Sequence, residues 1–283
     1  QIAPSPFPWI SRAGNGARMK RTYPVEFVYQ ALSLIVAIII VHAIYVLVIR
    51  PKADTILAEQ QAMMESDPNY VQQRSVYVII RDFEQEACFV LMLWAFAIMA
   101  YKGITASREH KLLQMELVPV AEGTKILPED AREYARQVQS LPASEQSLLL
   151  PRTLLSALSR FRATRNIQDV SATAHAVCES ESERLDSELS MVRYIAWAIP
   201  SIGFIGTVRG IGEALGQAHK AVEGDITGVT QSLGVAFNST FIALLISIVL
   251  MFVLHQLQLR QERLVLDTET YLDQHLIQHL RVS

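Results

Sequence analysis

Asp and Glu are absent from the middle of every long hydrophobic run in this chain of 283 residues. Handing a proton across lipid needs a titratable group inside it, and hydroxyls do not titrate near neutral pH. These runs alone therefore cannot carry a proton, and any such traffic needs a carboxylate from a second protein. Cysteine is nearly absent as well: Cys88 falls in a hydrophobic run and Cys178 in a polar segment, which excludes a disulfide framework. The seven histidines are scattered. His275 and His279, at i and i+4, are the nearest pair; no carboxylate or cysteine of matching spacing converges on them, so no metal site is expected. Basic residues interleaved with aromatics are missing, which leaves no case for nucleic acid. No nucleophile and base fall into a catalytic arrangement, so an enzyme is not indicated, and no strand pattern competes with the helical one.

What the chain has is hydrophobicity gathered into four stretches. Hydrophobic residues make up 51% and charged residues 19%, with a mean hydropathy of +0.23. Val28 to Ile49 and Leu233 to Leu254 are each long enough to cross a bilayer, which takes about 20 residues. Ala87 to Tyr101 and Tyr194 to Val208 are shorter and borrow flanking residues. The expectation is an all-α, polytopic membrane helical bundle with four transmembrane helices, at 28–50, 84–102, 191–215 and 233–255, and a helical cytoplasmic extension. Residues 102–190 hold eleven Lys or Arg, 216–232 hold only Lys220, and 50–86 sets four basic residues against seven acids. The positive-inside rule then puts 1–27, 103–190 and 256–283 in the cytoplasm, and 51–83 and 216–232 on the far side. The first eighteen residues, rich in Pro, Gly and Ser, precede Met19, which with Lys20 and Arg21 reads as a more natural start. No cleavable signal peptide is evident.

Breakers organise the rest. The 51–83 connection is expected to break near Asp67, Pro68 and Asn69, and Pro119 and Gly123 mark a loop. Pro128 followed by Glu129 and Asp130 reads as a helix start, and Pro142 and Pro151 punctuate two short helices. No Pro or Gly occurs from Asn166 until Pro200, so one long helix is expected to enter the third span, with Pro200 kinking it. The fourth span meets no breaker after Leu254 and is expected to continue into the C-terminal helix.

The last two spans each carry a threonine in a stripe of small residues. Gly203, Thr207, Gly210 and Ala214 fall at i, i+4, i+7 and i+11, and Ala236, Thr240, Ala243 and Ser247 repeat that spacing. Residues so spaced share one helix face, and small residues there let backbones approach closely in lipid. Thr207 and Thr240 are candidate ion-path residues, with Asn238 and Ser239 beside the second; bonding of Asn238 between subunits is the alternative. Helix packing is assigned to Gly203, Gly206, Gly210, Ala236, Ala243 and Ser247, and it is equally the plain reading of both threonines, each bonded to a carbonyl one turn back. Arg209, close to the far end of the third span, either pairs with Glu213 four residues on or acts as an electrostatic gate. His42, in the first span, reads as interfacial or hydrogen-bonded rather than as a proton relay.

The run Ile199 to Ile211 (IPSIGFIGTVRGI) resembles a motif of the MotA/TolQ/ExbB proton-channel family, A-P followed by two hydrophobic residues, then G-L-hydrophobic-G-T-V-x-G-I. Leu233 to Ser247 (LGVAFNSTFIALLIS) is similar to that family's final span, and the resemblance extends over roughly residues 165–260. It implies an ion-channel, stator-type subunit of a motor driven by the proton-motive force in a bacterial inner membrane, multi-pass with both termini cytoplasmic. It also implies a homo-oligomer, a pentamer, around a dimer of a single-span, aspartate-bearing subunit of the ExbD/TolR/MotB type, embedded in membrane lipids. The transported ion would be a proton, with no cofactor. The chain departs from the pattern in three places. Arg209 stands where the family often has a bulky apolar or aromatic residue. ExbB and TolQ carry a glutamate five residues before the last-span threonine, where this chain has Val235. They also have three spans against four here, as in MotA. A non-conducting membrane scaffold that organises an envelope complex is the alternative.

Overall fold

The computed structural model describes residues 25–66, 75–115, 117–118 and 125–282. The leader, the Asp67–Asn69 break and the Pro119–Gly123 loop lie outside the described residues. Eleven α-helices follow one another: α1 (Val25–Ile44), α2 (Arg50–Ser66), α3 (Val76–Ile79), α4 (Phe83–Leu113), α5 (Ala131–Gln139), α6 (Ala143–Gln146), α7 (Leu149–Thr164), α8 (Ile167–Glu188), α9 (Ser190–Gly216), α10 (Ala218–Val222) and α11 (Thr227–His275). Four helical stretches are long and apolar enough to cross a membrane: Phe27–Met64, Phe83–Leu113, Ile167–Gly216 and Thr227–His279. A run of this kind satisfies every backbone group internally, which is the condition lipid imposes.

The first stretch is not uniform. Between α1 and α2 the backbone passes through a π-helical segment, Tyr45–Ile49, and runs on without a break, with Pro51 in the first turn of α2. The second stretch, α4, begins with Glu84 and Glu86 and ends with His110 and Lys111, charges that suit the two ends of the helix dipole. The single helix expected from Asn166 is interrupted at Leu189, which closes α8 with φ −86° and ψ −4°. Arg193 explains the interruption: its guanidinium folds back onto Asp186, bonding the carboxylate at 2.6 Å and the backbone carbonyl at 2.7 Å. A side chain that takes a carbonyl from the ladder is a recognised cause of a helix break. Pro200, by contrast, sits inside a continuous helix. The 49 residues of α11 run unbroken for about 73 Å, far more than a bilayer needs.

Two apolar cores stack along α11. One fills the space between α4, α9 and α11 with Cys88, Ile98, Ile195, Ile199, Leu250 and Leu254, all but excluded from solvent. The other gathers α5, α7, α8 and the last turns of α11 around Leu154, Leu158, Phe161, Val170 and Leu272. There α7 and α8 reverse direction through Arg165, the one described non-glycine residue with positive φ (52°), and Asn166 Oδ1 accepts from Gln168 N to start α8. The chain end is clipped back by a single parallel bridge, Ile126 N to His279 O and Arg281 N to Ile126 O. α1 lies against α4 only through a small cluster of Val41, Tyr45 and Ile49.

Candidate functional site at the seam of the last two spans

Glycine brings α9 and α11 together. A Cβ on Gly203 would stand 2.5 Å from Ala243 Cβ and 3.1 Å from Thr240 Cα. On Gly210 it would stand 2.7 Å from Ser232 O and 2.8 Å from Ala236 N. Neither site has room for a methyl group, so the two backbones touch along this line. Ala236 and Ala243 are fully buried in it.

The hydroxyls lie within this contact. Thr207 Oγ1 and Thr240 Oγ1 are hydrogen-bonded to each other. Thr207 Oγ1 is also 3.1 Å from Ala236 O and 3.3 Å from Gly203 O, while Thr240 Oγ1 is 3.0 Å from Gly203 O. Each hydroxyl has one proton to donate. The pair can therefore run as a chain from Thr207 through Thr240 to Gly203 O, or from Thr240 through Thr207 to Ala236 O. Both directions leave every donor satisfied.

The seam has two sides. At 100° per residue, Thr207 and Gly206 stand on opposite sides of the line that faces α11, and Thr240 and Ser239 stand likewise on α11. α4 closes the Gly206 and Ser239 side, where a Cβ on Gly206 would stand 2.6 Å from Ser239 Cβ and 3.1 Å from Glu84 Cγ. The threonine side is left open and is edged by exposed apolar side chains, Phe204 and Ile211 on α9 and Phe237 and Leu244 on α11. A polar pair thus sits in the floor of an apolar groove.

Of the four ion-path candidates, the structure brings Thr207, Thr240 and Ser239 together. Ser239 is buried on the α4 side and donates to Ala236 O at 2.9 Å. Asn238 lies apart, half-buried in the wall of a cavity of about 250 Å³ shared with Gln60, Ser75, Asp82 and Gln231. Ser247 bonds Ala196 O at 3.2 Å. That carbonyl is the one deprived of its helical partner by Pro200, which has no N–H.

Arg209 is paired with Glu213 at 3.0 Å, and it also makes two bonds to Glu84 on α4, Nε to Oε1 at 2.7 Å and NH2 to Oε2 at 2.9 Å. Glu84 was not a sequence candidate. The only signal for it was the run of acids opening the second span, and nothing local points to a partner 125 residues away. A second carboxylate on α4, Glu86, faces α1 and accepts from Arg50 and from His42 Nδ1, the latter at 2.7 Å.

Beyond the far end of the spans, Lys102, Glu188, Arg184, Glu181 and Arg152 form a continuous chain of ion pairs across α4, α8 and α7. Burial pushes the Glu181 carboxyl up, but hydrogen bonds and charge from Arg184 and Arg152 outweigh it and hold it below its usual range. Glu109, buried beside them, is raised by burial and by the Glu181 charge. Among the described residues no group of three or more His, Cys, Asp or Glu is placed to hold a metal.

Four apolar helical stretches with a hydroxyl pair on a glycine seam define a multi-pass membrane protein. Residues 145–270 match the MotA/TolQ/ExbB proton channel family, so the chain carries a domain of that family, whose members are channel subunits rather than enzymes. The match takes in α7, α8, α9 and most of α11, hence both threonines, and leaves α1 to α4 outside. No curated protein and no solved structure matches the chain.

Proposed function

We propose that the chain is the ion-channel subunit of a stator-type motor in a bacterial inner membrane, with both termini and α5–α8 in the cytoplasm. Five copies surround a dimer of a single-span subunit of the ExbD/TolR/MotB type. Proton flow through the complex is coupled to mechanical work on the envelope. The observation that carries this reading is the open side of the α9–α11 seam, where a hydroxyl pair with two interchangeable hydrogen-bond directions lies in an apolar groove. Such a groove suits an apolar transmembrane helix bearing one carboxylate. The partner's aspartate then meets Thr207 and Thr240, which pass or accept hydrogen bonds as it gains and loses its proton. Arg209 stays on the α4 side, fixed by Glu84 and Glu213.

The test is the composition and conductance of the complex drawn gently from its own membrane. Native mass spectrometry is expected to give five copies of this chain with two of a small single-span protein. In vesicles holding that complex, Thr240→Val is expected to cut proton flux at least tenfold and Thr240→Ser to keep most of it. Equal flux in the two variants would remove Thr240 from the ion path.

One observation favours a non-conducting scaffold: backbone carbonyls already satisfy both hydroxyls, as packing alone would require. The scaffold predicts a monomer or an even-numbered oligomer without such a partner. It also predicts that Thr207→Val and Thr240→Val leave function intact while Gly206→Leu destroys it.

A further inference from the structure

The two carboxylates in the first turn of α4 point to opposite sides, Glu84 to Arg209 on α9 and Glu86 to α1 and α2. We propose that His42, Glu86 and Arg50 form a proton-binding site between the first two spans, separate from the threonine pair and outside the family-matched region.

The backbone builds this site. On an uninterrupted α-helix, His42 and Arg50 would stand about 80° apart, since eight residues turn about 800°. The π-helical segment Tyr45–Ile49 lies between them. A π turn takes more residues, so each residue rotates less, and the two side chains are brought towards one face. Isolated π turns occur mostly where a helix serves a site. Glu86, nine-tenths buried, receives both.

The charges around the site leave a single group free to change. Arg50 is a fixed cation, held over the rings of Phe83 (4.5 Å) and Tyr45 (5.7 Å), and it neutralises Glu86. An ionised carboxylate only accepts, so the neutral imidazole carries its hydrogen on Nδ1 and leaves the Nε2 lone pair open. The ring edge is accessible, with 59% of the side chain exposed. The remaining groups on α4 are engaged or neutral: Asp82 lies beside Arg81, Glu84 is bound to Arg209, and Cys88 is a buried thiol. From α1, the Tyr45 hydroxyl is buried with no partner among the described residues, a polar atom next to the cluster with bonding capacity unspent.

A hydronium ion gives its proton to Nε2 and leaves as water, and the imidazolium keeps its Nδ1 bond to Glu86. That bond is then charged on both sides, roughly twice as strong as a neutral one. Proton uptake therefore tightens α1 on α4, and release loosens it. None of this depends on whether the threonine pair conducts.

The test is histidine ¹⁵N NMR on the full chain in lipid nanodiscs, with His42 assigned by the resonance that His42→Gln removes. The expected result is an imidazole held as the Nδ1–H tautomer that takes up one proton between pH 5 and 8. In Glu86→Gln the tautomer bias is lost and proton affinity falls tenfold or more. Because Glu86→Gln leaves Arg50 unpaired, Arg50→Gln with Glu86→Gln is measured alongside, and loss of the tautomer bias is its readout. A mixture of tautomers in the natural chain, or an unchanged bias in the double variant, would overturn the proposal.

Discussion

At the scale of single residues, Ser247 shows how a small hydroxyl is used twice. Its spacing marks it as a packing position, and its atom repairs the carbonyl that Pro200 strands at Ala196. A carbonyl left unpaired in lipid loses the full value of its hydrogen bond. Ser247→Ala is therefore expected to destabilise the chain by about 1–2 kcal/mol, read as an earlier thermal unfolding in detergent. Ser247→Thr, which keeps the hydroxyl, is expected to lose less. If Ser247→Ala unfolds with the natural chain, Ala196 O has found another donor.

At the scale of elements, the α9–α11 seam is held by closeness. The backbones meet at Gly203 and Gly210, where an added methyl would press on backbone atoms that cannot move aside. Overpacking of this kind costs about 1–3 kcal/mol. Gly203→Ala and Gly210→Ala are expected to separate the helices and lower stability accordingly. Gly212, on the same helix, has nothing within 4 Å of its Cβ position. Gly212→Ala is expected to be neutral or to gain about 0.5–1 kcal/mol, since alanine suits a helix interior better than glycine. Similar losses at all three positions would mean that helix propensity, not the seam, sets the effect. Parallel melting of the three variants decides it.

At the scale of the whole molecule, α11 passes through both apolar cores, and the ion-pair chain from Lys102 to Arg152 ties the foot of α4 to α8 and α7. Its two unusual carboxyls act at opposite ends of the pH range. Glu181, depressed in the folded chain, adds stability above the ordinary glutamate range and loses it as pH falls through its lowered value. Glu109, raised in the folded chain, adds its full share below that range and loses it as pH climbs through its raised value. Glu109→Gln mimics the protonated form. It is therefore expected to stabilise the chain at pH 8 and to change nothing at pH 4, measured by thermal unfolding at both. An equal gain at both would show that the Glu109 charge is not what costs stability.

The sequence by itself determined the four apolar helices and the two small-residue stripes, because spans and helix faces follow from composition and from a period of 3.6 within one segment. It also carried the family motif, since Gly203, Gly206, Thr207 and Gly210 are neighbours on one short run. The interruption at Leu189 was not legible there: it depends on Arg193 folding back on Asp186, a rotamer choice rather than a pattern. Only the tertiary structure decided the partners of the charges. Glu84 meets Arg209 and Glu86 meets His42 across 125 and 44 residues of chain, pairings that exist because separate helices pack side by side. It also separated Asn238 from Thr240. Two residues apart on a helix are 200° apart around it, so neighbours in the sequence look into different spaces.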